Sequence, residues 1–579
     1  MPSLFPPALL FIFAGFVIPL LKGRARDGFI LLVPILGFFQ IVGLSQSMGT
    51  FWQVPFLDTY NLVLLKVEPL RLCFAYVFTI IAFTSSLYAI HIKKAAQHVA
   101  AFIYIGSALG VVFAGDYFTL FVYWELMAVG STAVILCRKS RAARESAYRY
   151  VLVHIAGGAL LMAGIVLQLA ETGSIAVVTP EPGWPFYLIL LGFCLNAAVP
   201  PLSAWLPDAY PEASVTGAVY LTTYTTKTAV FVLALVFAGT EELVWAGAIM
   251  TLYGVVFATM ENDIRRLLAY HIISQVGYMV CAVGLGTELA INGASAHAFS
   301  HILYKALLFM GTGAVIQATG RRQMSELGGI VKRMRWVFIC YMVAGFSISG
   351  VPLFNGFISK SMIISAAGEM HNVIIGGMLV LASVGTFFST TLKLPYYTFL
   401  GPENDEIKVD PLPKNMLWAM GIVAFLCFLF GIQPGLLYQL LPYECNYHPY
   451  TPDHIVDSLQ ILTACGIAFW IAAKWLGGHR TVTLDTDWFY RTASNGIYQL
   501  SANTLTRAGA WLEHVAAELV SAATVLVRRP DAGKGAPVKH TMTAAISDSG
   551  LRDSIGLAIG LATLIAIMYI LMYFGDGLM

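Results

Sequence analysis

The chain has 579 residues, of which 58% are hydrophobic and 11% charged, and its formal net charge is +2. This composition belongs to a polytopic membrane protein surrounded by lipid, and the near-balanced charge argues against a nucleic-acid role. Its eight cysteines lie far apart, without a CxxC or Cys/His cluster, and there is no GxGxxG or Walker loop, so no metal site, nucleotide site or other cofactor is expected in this chain.

Apolar runs of membrane-spanning length predict an all-α protein with about sixteen transmembrane helices. In chain order they fall near 4–21, 28–45, 69–90, 97–114, 117–137, 149–170, 184–205, 213–237, 243–260, 267–287, 292–318, 336–368, 373–400, 415–435, 456–475 and 553–575. The first run lacks a basic leader and a small-residue cleavage site, so it reads as a retained helix. Lys22, Arg24 and Arg26 follow it, and Lys93 and Lys94 follow the third run. Basic loops stay cytoplasmic, which places the N-terminus outside. Spans 7 and 12 are interrupted, by Ala198-Val199-Pro200-Pro201-Leu202 and by Gly350-Val351-Pro352-Leu353-Phe354 with Gly356 beyond. Proline in a membrane helix removes a donor and frees a carbonyl, and such a break survives only inside protein or beside a watery cavity. Beyond span 15, residues 482–530 carry Leu505, Trp511, Leu512, Val515, Leu519, Val520 and Leu526 among polar residues. That pattern predicts a long amphipathic helix at the cytoplasmic interface, followed by a linker over 530–552 and the last span.

Residues 116–173 recur without a gap at 263–320, an offset of 147, with fifteen of fifty-eight positions identical. The matches include Asp116 with Asp263, Tyr123 with Tyr270, His154 with His301, and Thr172-Gly173 with Thr319-Gly320. Apolar composition alone would not align those loop residues, so this is an internal repeat. The loop charges alternate. Residues 138–149 hold Arg138, Lys139, Arg141, Arg144 and Arg149 while 285–296 hold no basic residue; 171–183 hold none while 319–335 hold Arg321, Arg322, Lys332, Arg333 and Arg335. At about thirty residues per span and loop, the repeat unit contains five helices, and an odd number inverts the second copy. Two inverted five-helix repeats, spans 4–8 and 9–13, are a build shared by ion and solute transporters, whose sites lie at mid-membrane.

Four charges fall inside these spans: Glu125 in span 5, Lys227 in span 8, Lys305 in span 11 and Lys360 in the second piece of span 12. Each costs roughly 2.5–3.5 kcal/mol at the bilayer centre, so each is expected to be paired or wetted. His297, His301 and Lys305 recur every four residues and share one helix face, a row suited to proton relay, with His297 the weaker member. A hydrated path linking Glu125, Lys227, Lys305 and Lys360 along the membrane plane is the expected ion route. Lys393 is expected to snorkel towards the cytoplasmic surface.

At these residues the sequence resembles the antiporter-like membrane subunits: the L-, M- and N-type subunits of respiratory NADH:quinone oxidoreductase (complex I) and the A and D subunits of Mrp-type Na+/H+ antiporters. The resemblance covers roughly residues 60–400. It rests on Trp124-Glu125, on Trp205-Leu206-Pro207-Asp208-Ala209, on Asp263 through Tyr270, on His301 through Leu308, and on Gly350-Val351-Pro352 with Gly356-Phe357-Ile358-Ser359-Lys360. It implies proton translocation, with Na+ as the alternative ion, by a multi-pass subunit of a larger complex in the cell's plasma membrane, and roles there for Glu125, Lys227, His301, Lys305 and Lys360. It also likens the amphipathic helix to the lateral helix of L-type subunits. Any oxidoreductase chemistry would belong to partner subunits, since this chain has no redox-centre motif. One departure is plain: the family's span-7 lysine is Asn196 here, and no other lysine lies between Lys139 and Lys227, which leaves Lys227 as the expected partner of Glu125. The competing reading is a non-conducting subunit that braces its neighbours. The expected divisions are 1–95 for the N-terminal helices, 96–237 and 238–400 for the two repeats, 401–476 for helices 14 and 15, 477–552 for the amphipathic helix and linker, and 553–579 for the final helix.

Overall fold

Polar caps and prolines set the helix ends in the computed structural model, which describes residues 5–56, 59–404, 406–473 and 485–527. The chain opens with α1 (Pro7–Val17) and α2 (Gly23–Leu44), then an antiparallel hairpin of β1 (Phe51–Phe56) and β2 (Tyr60–Lys66). Helices α3 (Pro69–Ala89), α4 (Ala95–Phe113), α5 (Tyr117–Leu136) and α6 (Arg141–Thr172) follow. Next come α7 (Trp184–Asn196), α8 (Trp205–Ala209), α9 (Val215–Leu221), α10 (Thr225–Val236), α11 (Glu241–Met260), α12 (Ile264–Leu285) and α13 (Glu288–Thr319). The remainder is α14 (Arg335–Ser349), α15 (Asn355–Glu369), α16 (Val373–Thr386), α17 (Lys414–Ile432), α18 (Pro434–Tyr438), α19 (Pro452–Ala472) and α20 (Asp487–Val527). Past α16 the helix continues in wider π turns over Phe387–Lys393 and Tyr396–Leu400. Among the described residues, twelve helical stretches are long and apolar enough to cross a membrane. The protein is therefore an all-α polytopic membrane protein, with one small hairpin among the described residues.

Two compact units divide the chain at Thr492/Ala493. Of the second, the described part is the greater length of α20, a helix of 41 residues with Leu505, Trp511, Leu512 and Leu519 exposed. The expected linker at 530–552 and the span at 553–575 lie outside the described residues.

The 147-residue offset reappears in the capping. Asp116 caps α5 by accepting from Thr119 N at 2.8 Å, and Asp263 caps α12 by accepting from Arg265 N at 2.9 Å. Ser140 caps α6 through Ala143 N, and Thr287 caps α13 through Ala290 N. Both of these helices run for 32 residues and end on a left-handed glycine, Gly173 at φ 67° and Gly320 at φ 69°, where a side chain would strain the backbone. Even the isolated bridges repeat: Asp116 with Ala176, and Asp263 with Gln323.

α12 and α13 are apolar on nearly all sides and are buried almost throughout, so they form the interior against which the other helices pack. At the edge of this core Arg71, only 1% exposed, closes the end of α4 by donating to the carbonyls of Val112 at 2.7 Å and Ala114 at 2.8 Å while pairing with Glu68 at 2.7 Å. Three features depart from expectation. The hairpin occupies the stretch between the second and third predicted spans, for which no element was expected. α6 starts at its Ser140 cap, so Arg141, Arg144 and Arg149 lie on its first turns. Span 8 is two helices, α9 and α10, parted at Thr222–Tyr224, where the hydroxyls of Thr222 and Thr223 bond back to the Val219 carbonyl at 2.8 and 3.2 Å and compete with the helical ladder.

Candidate functional site

The prolines break the chain where expected. α7 stops at Asn196, and Ala198 sits at φ 60° before Pro200 and Pro201; α14 stops at Gly350, and Leu353 sits at φ 77° before α15 begins. A left-handed non-glycine residue inside each break is strained backbone, held there by the surrounding packing. Trp205 spans the first gap by donating from Nε1 to the Leu195 carbonyl at 3.1 Å. Asp208 takes a two-pronged bond from Arg149, at 2.8 and 2.9 Å, and so moors α8 to α6.

Lys227, Lys305 and Lys360 are all buried, with 0%, 0% and 2% exposure. None of them forms an ion pair among the described residues; each ammonium is held by carbonyls and hydroxyls. Lys227 Nζ donates to the Thr222 carbonyl at 2.5 Å and to Thr226 Oγ1 at 3.0 Å, using the acceptor freed by the α9/α10 break. Lys305 Nζ donates to the Leu268 carbonyl at 2.9 Å. Lys360 Nζ donates to the Ile348 carbonyl at 2.7 Å, beside the α14/α15 break, and to Ser383 Oγ at 3.2 Å, and lies 5.1 Å from the centre of the Tyr278 ring. A cavity of about 360 Å³ reaches Lys360 between α15, α16 and α19, where Ser365, Ser383, His454 and Asp457 help line it.

Histidines sit among these lysines. His301 is within electrostatic reach of Lys227, Lys305 and Lys360, and its ring nitrogens, both buried, have no hydrogen-bond partner. His297 contacts Ser359 Oγ at 3.0 Å through Nδ1 and the Tyr304 hydroxyl at 3.4 Å through Nε2. The Tyr304 hydroxyl donates to Gln275 Oε1 at 3.4 Å, and Gln275 Nε2 donates to Thr386 Oγ1 at 3.3 Å. His271, which the sequence reading passed over, bonds to Ser389 Oγ at 2.6 Å and lies within reach of Lys305 and Lys360. Its signal was available, since it sits one turn after Leu267 on a helix with no outward face.

Glu125 stands apart. It is half-buried, its Oε1 has no hydrogen-bond partner, and it forms no ion pair among the described residues. The expected contact with Lys227 is not made, because that ammonium is turned onto the Thr222 carbonyl. Glu125 instead lies against Gly158 of α6, with Oε1 in the space that a side chain at 158 would occupy. Position 158 is the repeat counterpart of Lys305, so the two copies carry their ionisable group on different helices. The amide of Asn196 is buried with neither end partnered. Nearby, His154 donates from Nδ1 to the Tyr150 carbonyl at 2.8 Å, stacks on Tyr150 with ring centres 3.9 Å apart, and packs edge-on to Trp205. The Tyr150 hydroxyl continues to Ser131 at 2.9 Å and Thr225 at 3.5 Å, and Thr225 to Tyr104 at 2.6 Å. This second polar group was also missed, although His154 is the repeat partner of His301.

Lys393 is 4% exposed and does not snorkel. It closes the end of α11 by donating to the carbonyls of Thr259 at 2.6 Å and Glu261 at 3.1 Å. Among the described residues no three His, Cys, Asp or Glu side chains converge to hold a metal.

Residues 114–389, the stretch holding the repeat and its buried lysines, match the family described as NADH:quinone oxidoreductase/Mrp antiporter, transmembrane. This stretch of the chain belongs to that family. The D-type component of a Na(+)/H(+) antiporter from Alkalihalophilus pseudofirmus is 29% identical over 372 residues, 58% of this chain and 73% of its own length. The A-type component from the same organism is 29% identical over 489 residues, 74% of this chain but 60% of its own length. A solved chain of the membrane-bound sulfane sulfur reductase, an archaeal respiratory membrane complex, superposes with a TM-score of 0.68 at 22% identity over 97% of this chain and 99% of its own. That similarity is one of fold. The matched stretch takes in both copies of the repeat and Gly356 through Lys360.

Proposed function

We propose that the protein translocates protons, with exchange for Na+ as the alternative, as one subunit of a multisubunit assembly of Mrp-antiporter or NADH:quinone oxidoreductase type in the plasma membrane. The observation that carries this reading is the group of Lys227, Lys305 and Lys360 with His271, His297 and His301, buried together with no carboxylate pairing them among the described residues. A proton relay needs groups that exist with or without their proton and are tied in neither state by a fixed counter-charge. In this reading Lys305 and Lys360 are the storage groups of the second repeat and His301 passes protons between Lys227 and Lys305. His297 and Tyr304 extend the line towards Gln275. Movement of one charge alters the proton affinity of the next through Coulomb coupling, which is strong at so buried a site. The repeated caps and the alternating loop charges support two five-helix units, 96–237 and 238–400, in opposite orientations. The broken helices supply acceptor carbonyls at mid-membrane, and α20 is the amphipathic helix likened to the lateral helix of L-type subunits.

A second reading, a non-conducting structural subunit, is favoured by the unpartnered Asn196 and the isolated Glu125 in the first repeat. Transport distinguishes the two. The assembled complex carrying Lys305→Ala, reconstituted in liposomes with a pH-sensitive dye, should lose proton movement while its subunits still co-purify. Retained movement in the intact assembly favours the structural reading.

A further inference from the structure

A cavity of about 490 Å³ lies away from the lysine group, at the helix ends that carry the basic loops. The end of α3, the start of α4, the end of α5, residues 211–215 and the start of α12 enclose it. Five cations line it: Lys93, Lys94, Arg138, Arg265 and Arg322. The carboxylates at hand are already taken, since Glu212 pairs with Arg138 at 2.8 Å and with Arg322 at 2.9 Å, and Asp263 pairs with Arg322. Arg265 is the unusual member. It is 3% exposed, and its Nη1 donates to the carbonyls of Ala213 at 2.9 Å and Pro211 at 3.4 Å. Its Nε and Nη2 are buried and have no partner. Those two N–H groups form one edge of the guanidinium, the fork that receives two oxygens of an oxyanion side by side. A buried, unsatisfied charged donor is costly unless something supplies the acceptors. Lys93 and Lys94 are exposed and pair with no carboxylate among the described residues.

We propose that this cavity binds a phosphate group, with Arg265 in its wall supplying the unpartnered Nε and Nη2 donors and Lys93 and Lys94 as its rim. A phospholipid headgroup at the membrane surface and free inorganic phosphate share this chemistry, and basic clefts between membrane helices suit either. The site does not depend on ion translocation.

The test uses the full-length protein in detergent. One arm measures the thermal midpoint in sodium phosphate against sodium chloride of equal ionic strength; the other counts bound phosphatidylglycerol by native mass spectrometry after delipidation. The expected result is that at least one of the two binds, and that apparent affinity falls tenfold or more in Arg265→Gln or in Lys93→Ala/Lys94→Ala. The lysine pair is exposed, so that variant keeps its midpoint without ligand even if Arg265→Gln does not fold. A control pair, Lys332→Ala/Lys408→Ala, removes the same charge elsewhere and should leave binding unchanged. Binding of phosphate alone identifies a free anion, and binding of the lipid alone identifies a headgroup. Failure of both ligands to bind, binding unchanged in both site variants, or an equal loss in the control pair would overturn the proposal.

Discussion

Lys305→Met should remove transport without destabilising the protein. Methionine keeps an unbranched side chain one atom shorter and deletes its charge. The structure shows one hydrogen bond to lose, from Nζ to the Leu268 carbonyl at 2.9 Å, in a side chain with 0% exposure and no ion pair. A bond from a charged donor contributes about 1.5–3 kcal/mol. Against this, an ammonium held in a dry interior carries a desolvation penalty of several kcal/mol, and replacing buried charge by a well-fitting apolar group is neutral or stabilising by about 1–4 kcal/mol. The second effect outweighs the first, so the variant's thermal midpoint should equal or exceed that of the parent. Differential scanning fluorimetry of the purified protein gives the midpoint, and dye-based proton uptake in liposomes gives the activity. A midpoint lowered by several degrees with transport intact would show that the lysine is a structural tie, and the argument from unpaired charge would fail.

Asp116→Ala should cost about 2–4 kcal/mol, because this 1% exposed carboxylate caps α5 and also accepts from Val63 N at 2.6 Å, which fixes the hairpin to the helix; Asp116→Asn should recover part of the loss in the same melting experiment. Burial alone would raise the pKa of Glu68, but pairing with Lys66 and Arg71 outweighs it and holds the carboxyl below its ordinary value of 4.5. Its stabilisation is therefore complete above that value and is lost as pH falls through the lower folded-state pKa, so the midpoint difference between the parent and Glu68→Gln should shrink on acidification and stay constant at neutral pH. A difference that grows in acid would reverse the sign. Arg141→Cys and Glu288→Cys occupy equivalent, exposed repeat positions, and impermeant thiol reagents should reach them from opposite sides of the membrane. Labelling from one side would remove the inversion.

The helices were legible because each signal in the sequence is local. Apolar runs, and Thr172-Gly173 and Thr319-Gly320 after a span, act within a turn or two of the residue concerned, whereas the caps Ser140 and Thr287 lie several residues ahead of the apolar runs and were not read. The repeat was legible for a related reason, since caps and bridges at 147-residue spacing demand the same residues twice. What escaped notice depends on partners distant in sequence. The hairpin is held by Val63 and Asp116 across 53 residues, and neither strand alternates clearly. The direction of Lys227 was misjudged because a run of threonines opens the helix and offers a nearer acceptor than Glu125. Arg71 went unremarked in the sequence but closes α4 from another helix, and Lys393 does the same for α11. In a membrane core a basic side chain can end its neighbour's hydrogen-bond ladder, and no periodicity records that task.

The π turns at Phe387–Lys393 give one helix an unusual gearing. A π turn takes in one residue more than the surrounding winding, so everything beyond it is rotated by about 100° from where a regular helix would put it. The hydroxyls of Ser389 and Thr391 thereby face α12 and α14, and Lys393 faces the end of α11. Deleting a single residue here would leave a sound, more regular helix whose downstream side chains point the wrong way. The connection between these three neighbours is therefore set by chain length as much as by residue identity, and a one-residue indel can uncouple them where a substitution would not.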